Sequence, residues 1–429
     1  MLAAQIAKIA SHARPLLRDR VVSGMSWMAG AELAIRLTRL ATTVLLARLM
    51  TPEIFGVAAL ALAIFEIIRL FNENGLGAAV IRARATELAS VAEAAYRLSW
   101  VIAIALTVLQ LGAGGLISVL SGRPELFWLI SALAGVYLFM PAGCVHAWMI
   151  MRREGMARMA SVNAVQLILD NALTIALALA GFEVWAIVLP KLLTAPVWLI
   201  GMAWGRPWTR QRAIKPASYP KLLRFCGPVL ISELIGGLRL HADKLVVAAL
   251  FGLEAAGIYF FAFNAGVGLS SAISTAFNRV VYPRFCNAKD DPGGLQRAHG
   301  QVIRLHAPAF SMIFLIQSLA ALVYVPIIFG SQWASSAGLV AVLCLSGAVR
   351  LFGEASLLAL RAHGAPTREC AGAALLAAAS LTGLILGSGW GLGAAAAGYT
   401  AGIAVAAAAI SHTTLTQLTR PHTAGATLT

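Results

Sequence analysis

The stretch Ala395–Ile410, AAAGYTAGIAVAAAAI, carries no charge and no proline over about four helical turns. The shorter run Ile175–Leu179, IALAL, repeats the pattern in the first half of the chain. In a hydrocarbon environment each backbone amide must be satisfied inside its own segment or ladder, which leaves helices or a closed barrel. Barrel strands alternate polar and apolar residues over about ten positions. These runs do not alternate, so they read as membrane helices.

Working outward, the same composition covers nearly the whole chain. Of 429 residues, 59% are hydrophobic and 12% charged, with a mean hydropathy of +0.81. A soluble domain carries about 25% charged residues, so a water-soluble protein is excluded. Windows of about 19 residues give about twelve spans. They lie near 22–47, 55–79, 94–119, 126–148, 159–181, 184–204, 226–251, 256–279, 302–329, 336–360, 371–389 and 392–411.

Basic residues set the orientation, because short cytoplasmic loops hold the excess of Lys and Arg. One side collects Lys8, Arg14, Arg82, Arg84, Arg152, Arg153, Arg158, Arg206, Arg210, Lys215, Arg284, Arg297, Arg361 and Arg368. The other offers only Arg48 and Arg123. Both termini are therefore expected in the cytoplasm. The same loops explain the net charge of +15, and with no nucleic-acid motif in the chain no nucleic-acid partner is expected.

Cys144, Cys226, Cys286, Cys344 and Cys370 stand apart, without a CxxC pair. Cys144 and His146 share a span, but residues two apart on a helix face different ways. No metal site, no cofactor and no catalytic constellation is expected. Residues 1–21 read as an interfacial amino-terminal segment, with Ile6, Ile9 and Leu16 opposed to Lys8, Arg14 and Arg18. Residues 413–429 read as a cytoplasmic tail.

The basic connection 206–225, with Pro207, Pro216 and Pro220, divides the spans into two sets of six. At a fixed offset of 201 residues, Glu32 pairs with Glu233, Ala41 with Ala242, Ala47 with Ala248, Glu53 with Glu254 and Gly56 with Gly257. Leu and Ala matches carry little information in so biased a composition. Two glutamates and a glycine in one register carry more. The fold class expected is an all-α polytopic membrane protein, two pseudo-symmetric six-helix bundles at 22–205 and 226–412. An even number of spans per half gives a parallel repeat, the kind that sets a substrate site between halves.

Ionisable residues inside spans cost roughly 2.5 to 3.5 kcal/mol each on insertion scales, so they pair or line a wet cavity. The candidate cations are Arg36, Arg39, Arg69, Arg239, Lys244 and Arg350. The candidate coupling or charge-balancing acids are Glu32, Glu66, Asp170, Glu233, Asp243 and Glu354. Glu32 with Arg36, Glu66 with Arg69, Arg239 with Asp243 and Arg350 with Glu354 are spaced to neutralise each other on one helix face. That spacing does not neutralise Arg39 or Lys244. A cavity with surplus Arg and Lys suits phosphate or pyrophosphate oxygens, and a carboxylate in low dielectric suits a coupling ion, H+ or Na+. Gly236-Gly237 is the preferred hinge, with close helix packing as the alternative use of two small residues. The elbow Phe71–Gly77 breaks the second span, and Asn264, Ser270, Ser274 and Asn278 make the eighth polar.

The run Ala47-Arg48-Leu49-Met50-Thr51-Pro52-Glu53-Ile54-Phe55-Gly56-Val57, followed by Asn74-Gly75-Leu76-Gly77-Ala78-Ala79-Val80-Ile81, resembles the amino-terminal signature of bacterial polysaccharide-repeat flippases. These belong to the multidrug, oligosaccharidyl-lipid and polysaccharide exporter superfamily. The resemblance covers about residues 20–85 and recurs around 224–285. It implies alternating access and an undecaprenyl-pyrophosphate-linked glycan as substrate, moved across the inner membrane for capsule, exopolysaccharide or lipopolysaccharide. A polymerase and export machinery are the implied partners beside membrane lipids. Two other classes compete. A cation-coupled drug or metabolite exporter shares the fold, and a membrane glycosyltransferase or polymerase does not; the latter needs a catalytic loop larger than any here, about 25 residues.

Overall fold

The computed structural model describes residue 35 and residues 38–72, 75–153, 156–210, 214–288, 291 and 293–418. The interfacial segment 1–21, Glu32, Arg36 and the end of the tail lie outside the described residues. The described chain is helical, with no strand. Among the described residues ten helical stretches are long and apolar enough to cross a membrane. The expected number of twelve is not reached among the described residues for two reasons. The first span is described only from its middle, and the seventh and eighth run into one another.

Two compact units emerge, Met1–Leu46 with Phe71–Leu230, and Ala47–Leu70 with Ile231–Thr429. This grouping crosses the halves of the sequence repeat: the second span, from the first half, packs with helices of the second.

In the first unit, α1 (38–49) contributes its opening turns, and α2 (Pro52–Arg69) follows in the other unit. The chain returns with α3 (Leu76–Arg82), α4 (Leu88–Ser121), α5 (Glu125–Arg152), α6 (Met156–Leu179) and α7 (Trp185–Ala203). At about 1.5 Å per residue, α7 matches a hydrocarbon core of about 30 Å, whereas the 34 residues of α4 overshoot it by several turns. Leu76, Val80, Ala95, Val145 and Met149 form the packed centre near one end of these helices. Deeper in, Gln110 is wholly buried between helices. Its Nε2 donates to the Ile130 carbonyl at 2.9 Å and its Oε1 accepts from Tyr137 Oη at 2.7 Å, which satisfies an amide that lipid could not.

In the second unit, α2 starts on an N-cap in which Thr51 Oγ1 accepts from the Ile54 amide, with Pro52 at its first turn. α8 (Tyr219–Phe263) is interrupted at Gly252, where φ is 83° and ψ 179°. Only glycine takes that backbone without strain, so the seventh expected span ends and the eighth begins there. Gly236 and Gly237, the expected hinge, lie in unbroken helix. A π-helical turn, Asn264–Gly268, leads into α9 (Leu269–Ala288). Then come α10 (Gly294–Gln301), α11 (Ala307–Tyr324), α12 (Ala337–Ala362), α13 (Pro366–Gly387) and α14 (Leu392–Leu418). α13 and α14 pack backbone to backbone: a Cβ on Gly383 would sit 2.0 Å from the Gly398 carbonyl oxygen. Small residues at such crossings gain dispersion contacts that lipid tails do not compete away. Phe277, Phe285, Phe314 and Leu351 fill the centre of α9, α11 and α12.

Candidate functional site

The second unit gathers most of the ionisable residues singled out in the sequence. On α8, Asp243 is 1% exposed. Its Oδ1 accepts from Lys244 Nζ at 3.1 Å and its Oδ2 from Tyr259 Oη at 3.1 Å. Lys244 Nζ also stands 4.2 Å from the centroid of the Phe263 ring, where a cation meets the negative face of the ring. Spacing of three or four residues leaves Lys244 without an acid, and Glu233, eleven residues before it, returns to nearly the same face; the structure sets the adjacent Asp243 beside it.

A second pair sits on α12, with Arg350 Nε 3.5 Å from Glu354 Oε1. Asn278, on α9, donates to Glu354 Oε2 at 3.0 Å. The buried Asn278 Oδ1 has no hydrogen-bond partner among the described residues. The third pair is on α2, Arg69 Nε to Glu66 Oε2 at 2.9 Å. Three of the candidate cations, Arg69, Lys244 and Arg350, thus each have a carboxylate beside them in the second unit. The side chains of Glu233 and Arg239 lie outside the described residues, so the Arg239 to Asp243 pairing does too.

In the first unit, Lys191 Nζ on α7 lies 3.2 Å from Asp170 Oδ2 on α6. Asn171 donates to Thr38 Oγ1 at 3.4 Å. Arg39 is exposed on α1 and takes part in a polar contact as well.

One group escaped the sequence reading. Glu93, on α4, is 1% exposed and accepts from Arg97 Nε at 2.8 Å and Arg210 NH2 at 3.1 Å. Arg210 comes from the connection 206–225 and covers the Tyr96 ring at 4.7 Å, while Trp208 packs 5.3 Å from Tyr96 and 5.9 Å from His146. The Ala217 amide donates to the Ser90 carbonyl at 3.0 Å. The connection is thus fastened to the helix ends rather than solvated. The i,i+4 spacing of Glu93 and Arg97 was the available signal; Arg210, 117 residues on, gave none.

A many-helix bundle with buried, paired charges and no metal cluster among the described residues defines a multi-pass integral membrane protein with a polar interior. Residues 45–338 match the family described as polysaccharide biosynthesis protein, and the chain belongs to that family. It is 24% identical over 369 residues to the lipopolysaccharide biosynthesis protein WzxC of Escherichia coli, an alignment spanning 81% of this chain and 71% of that one. It is 24% identical to the succinoglycan biosynthesis transport protein ExoT of Rhizobium meliloti, over 71% of this chain and 62% of the relative. Among solved structures, the lipid II flippase MurJ in an inward closed conformation superposes with a TM-score of 0.72 at 12% identity, covering 92% of this chain and 87% of that one. An inward-facing multidrug resistance MATE family transporter of the MOP superfamily gives 0.67 at 18% identity, covering 90% and 96%. These two likenesses are likenesses of fold.

Proposed function

We propose that the protein carries an undecaprenyl-pyrophosphate-linked oligosaccharide repeat unit across the bacterial inner membrane by alternating access, for assembly into a surface polysaccharide. The observation that carries this reading is membership of the polysaccharide biosynthesis family over residues 45–338, with relatives named for lipopolysaccharide and succinoglycan. The protein acts as a carrier and not an enzyme, with both termini on the cytoplasmic side, where the basic loops meet anionic headgroups. Pyrophosphate is matched by Arg69, Lys244 and Arg350 exchanging their carboxylate partners for phosphate oxygens, an exchange between like acceptors. Asp243, released from Lys244 in that exchange, is the coupling carboxylate for H+ or Na+. Glu354 with the unpartnered Asn278 Oδ1 supports a second polar station.

Deletion of the gene is expected to abolish the surface polymer while lipid-linked repeat units accumulate on the cytoplasmic leaflet. Normal polymer in the deletion strain overturns the proposal. The pairing of Arg69, Lys244 and Arg350 each with a carboxylate favours one alternative, a cation-coupled exporter of small molecules, in which the acids and not the basic groups are essential. Polymer output that survives Lys244→Met and Arg350→Met but not Asp243→Asn selects it.

A further inference from the structure

Two cavities of the first unit flank the first turn of α4. The larger, about 500 Å³, has Arg82, Arg84, Glu87, Ser90, Ser218 and Leu222 in its walls. The smaller, about 260 Å³, has Ala89, Met149, Arg153, Pro207, Trp208 and Thr209. The connection 206–225 supplies one wall of each. Its fastening, through Arg210 to Glu93 and through the Ala217 amide to the Ser90 carbonyl, keeps both cavities walled. α3 ends at Arg82 and α5 at Arg152. The cavities therefore open where membrane helices stop, at the depth of lipid headgroups rather than of acyl chains.

The arginines of this region fall into two groups. Arg152 and Arg158 cover carbonyls at helix ends, and Arg97 and Arg210 are held by Glu93. Each of these has a fixed acceptor. Arg84 and Arg153 are exposed, and their guanidinium groups have no hydrogen-bond or ionic partner among the described residues. One stands in each cavity.

Charge and shape together narrow the ligand. Among the described residues the larger cavity has two arginines and one glutamate in its walls, and the smaller has one arginine and no acid. Each thus carries one surplus positive charge. A lipid of net charge −1 neutralises that surplus, whereas a zwitterionic lipid leaves it standing. Ala79, Ala83, Val91 and Leu222 give the larger cavity an apolar side, which a free phosphate ion leaves bare and the glycerol and first methylenes of a lipid cover. Glu87 only accepts hydrogen bonds, and Ser90 Oγ already donates to the Glu87 carbonyl at 2.8 Å. A headgroup with hydroxyl donors beside its phosphate suits these acceptors.

We propose that the two cavities are headgroup sites for an anionic phospholipid of the phosphatidylglycerol class, one lipid to each. The phosphates engage Arg84 and Arg153, and the bound lipids hold the connection 206–225 against the first unit. Binding is read without transport, so it stands or falls apart from the carrier reading above.

The test uses the full-length protein, stripped of lipid in an uncharged detergent and titrated with phosphatidylglycerol or phosphatidylethanolamine, with bound lipid counted by native mass spectrometry. Phosphatidylglycerol is expected to stay and phosphatidylethanolamine to wash away; equal retention overturns the sites. Arg84→Gln with Arg153→Gln is expected to weaken retention about tenfold at each cavity, the loss of one charge-assisted contact to phosphate. Arg304→Gln with Arg368→Gln, at exposed positions of the second unit, removes the same charge and is expected to leave retention unchanged. Equal losses in the two double variants mean diffuse attraction and overturn the sites. Ala83→Trp fills the larger cavity with every cation in place and is expected to lose one of the two lipids; full retention overturns the larger site. Each variant is compared at an unfolding midpoint, measured without lipid, equal to that of the parent. Displacement of phosphatidylglycerol by equimolar inorganic phosphate or undecaprenyl pyrophosphate assigns the cavities to a free anion or to the cargo, and overturns the lipid reading. Phosphatidylglycerol is also expected to slow proteolysis between Trp208 and Ala217 in the parent but not in Arg84→Gln with Arg153→Gln; digestion indifferent to lipid overturns the hold on the connection.

Discussion

Two ion pairs, one in each unit, handle buried charge differently. In the second, Asp243 and Lys244 are both almost wholly enclosed, with side chains 1% and 8% exposed, and a tyrosine hydroxyl takes the remaining carboxylate oxygen. In the first, Glu93 is equally enclosed, but its partners Arg97 and Arg210 are 42% and 35% exposed. An enclosed pair leaves a stranded charge when one member is removed, whereas a half-wet pair lets water take over. The first arrangement therefore depends on both members being present at all times, or on a ligand that replaces one; the second is a fastening. That contrast is what a transporter interior and a loop anchor each require.

The largest break in this contrast comes from Asp243→Ala, which takes away the carboxylate 3.1 Å from the enclosed Lys244 Nζ. A loss of about 3–5 kcal/mol is expected, seen as collapse of the folded fraction in thermal unfolding monitored by size exclusion in detergent. The double change Asp243→Asn with Lys244→Met is expected to recover most of it; a single variant as stable as the parent removes the distinction between the two pairs. Gly383→Leu follows, because the α13 and α14 backbones have no room for a side chain. Overpacking of about 1–3 kcal/mol is expected in the same assay, and an unshifted midpoint would show that the crossing can relax. Glu93→Gln is smaller, about 1–2 kcal/mol, since its two arginines can be hydrated. Its signature is faster proteolysis of the connection around Trp208 and Ala217, more so at high salt; equal digestion rates count against an anchor. Smallest is Glu369→Gln, which frees Arg361, a 54% exposed partner. Under about 1 kcal/mol is expected there, and a larger drop would mean that exposure does not rank these pairs.

How legible this was depends on distance along the chain. The helices were readable, since each apolar run is local. So were Glu66 with Arg69 and Arg350 with Glu354, because three or four residues return to one helix face. Asp243 with Lys244 was not, because neighbours diverge on a helix and only the flexible stem of Lys reunites them. Asp170 with Lys191 and Glu93 with Arg210 join different helices, where no periodicity helps. The offset that paired Gly56 with Gly257 signalled a repeat, yet nothing in it said that the two glycines would touch.

The guanidinium groups at helix ends have a wider consequence. Arg48 donates to the carbonyls of Ile327 and Ile328, as Arg152 does to those of Val80 and Ile81 and Arg158 to those of Gly201, Met202 and Trp204. Each is partly neutralised by the negative pole it covers. The formal charge of +15 thus overstates how strongly the basic loops grip an anionic bilayer. Titrating vesicle phosphatidylglycerol should count fewer phosphate-engaging cations than the sequence contains, with the missing ones already acting as rivets between helices.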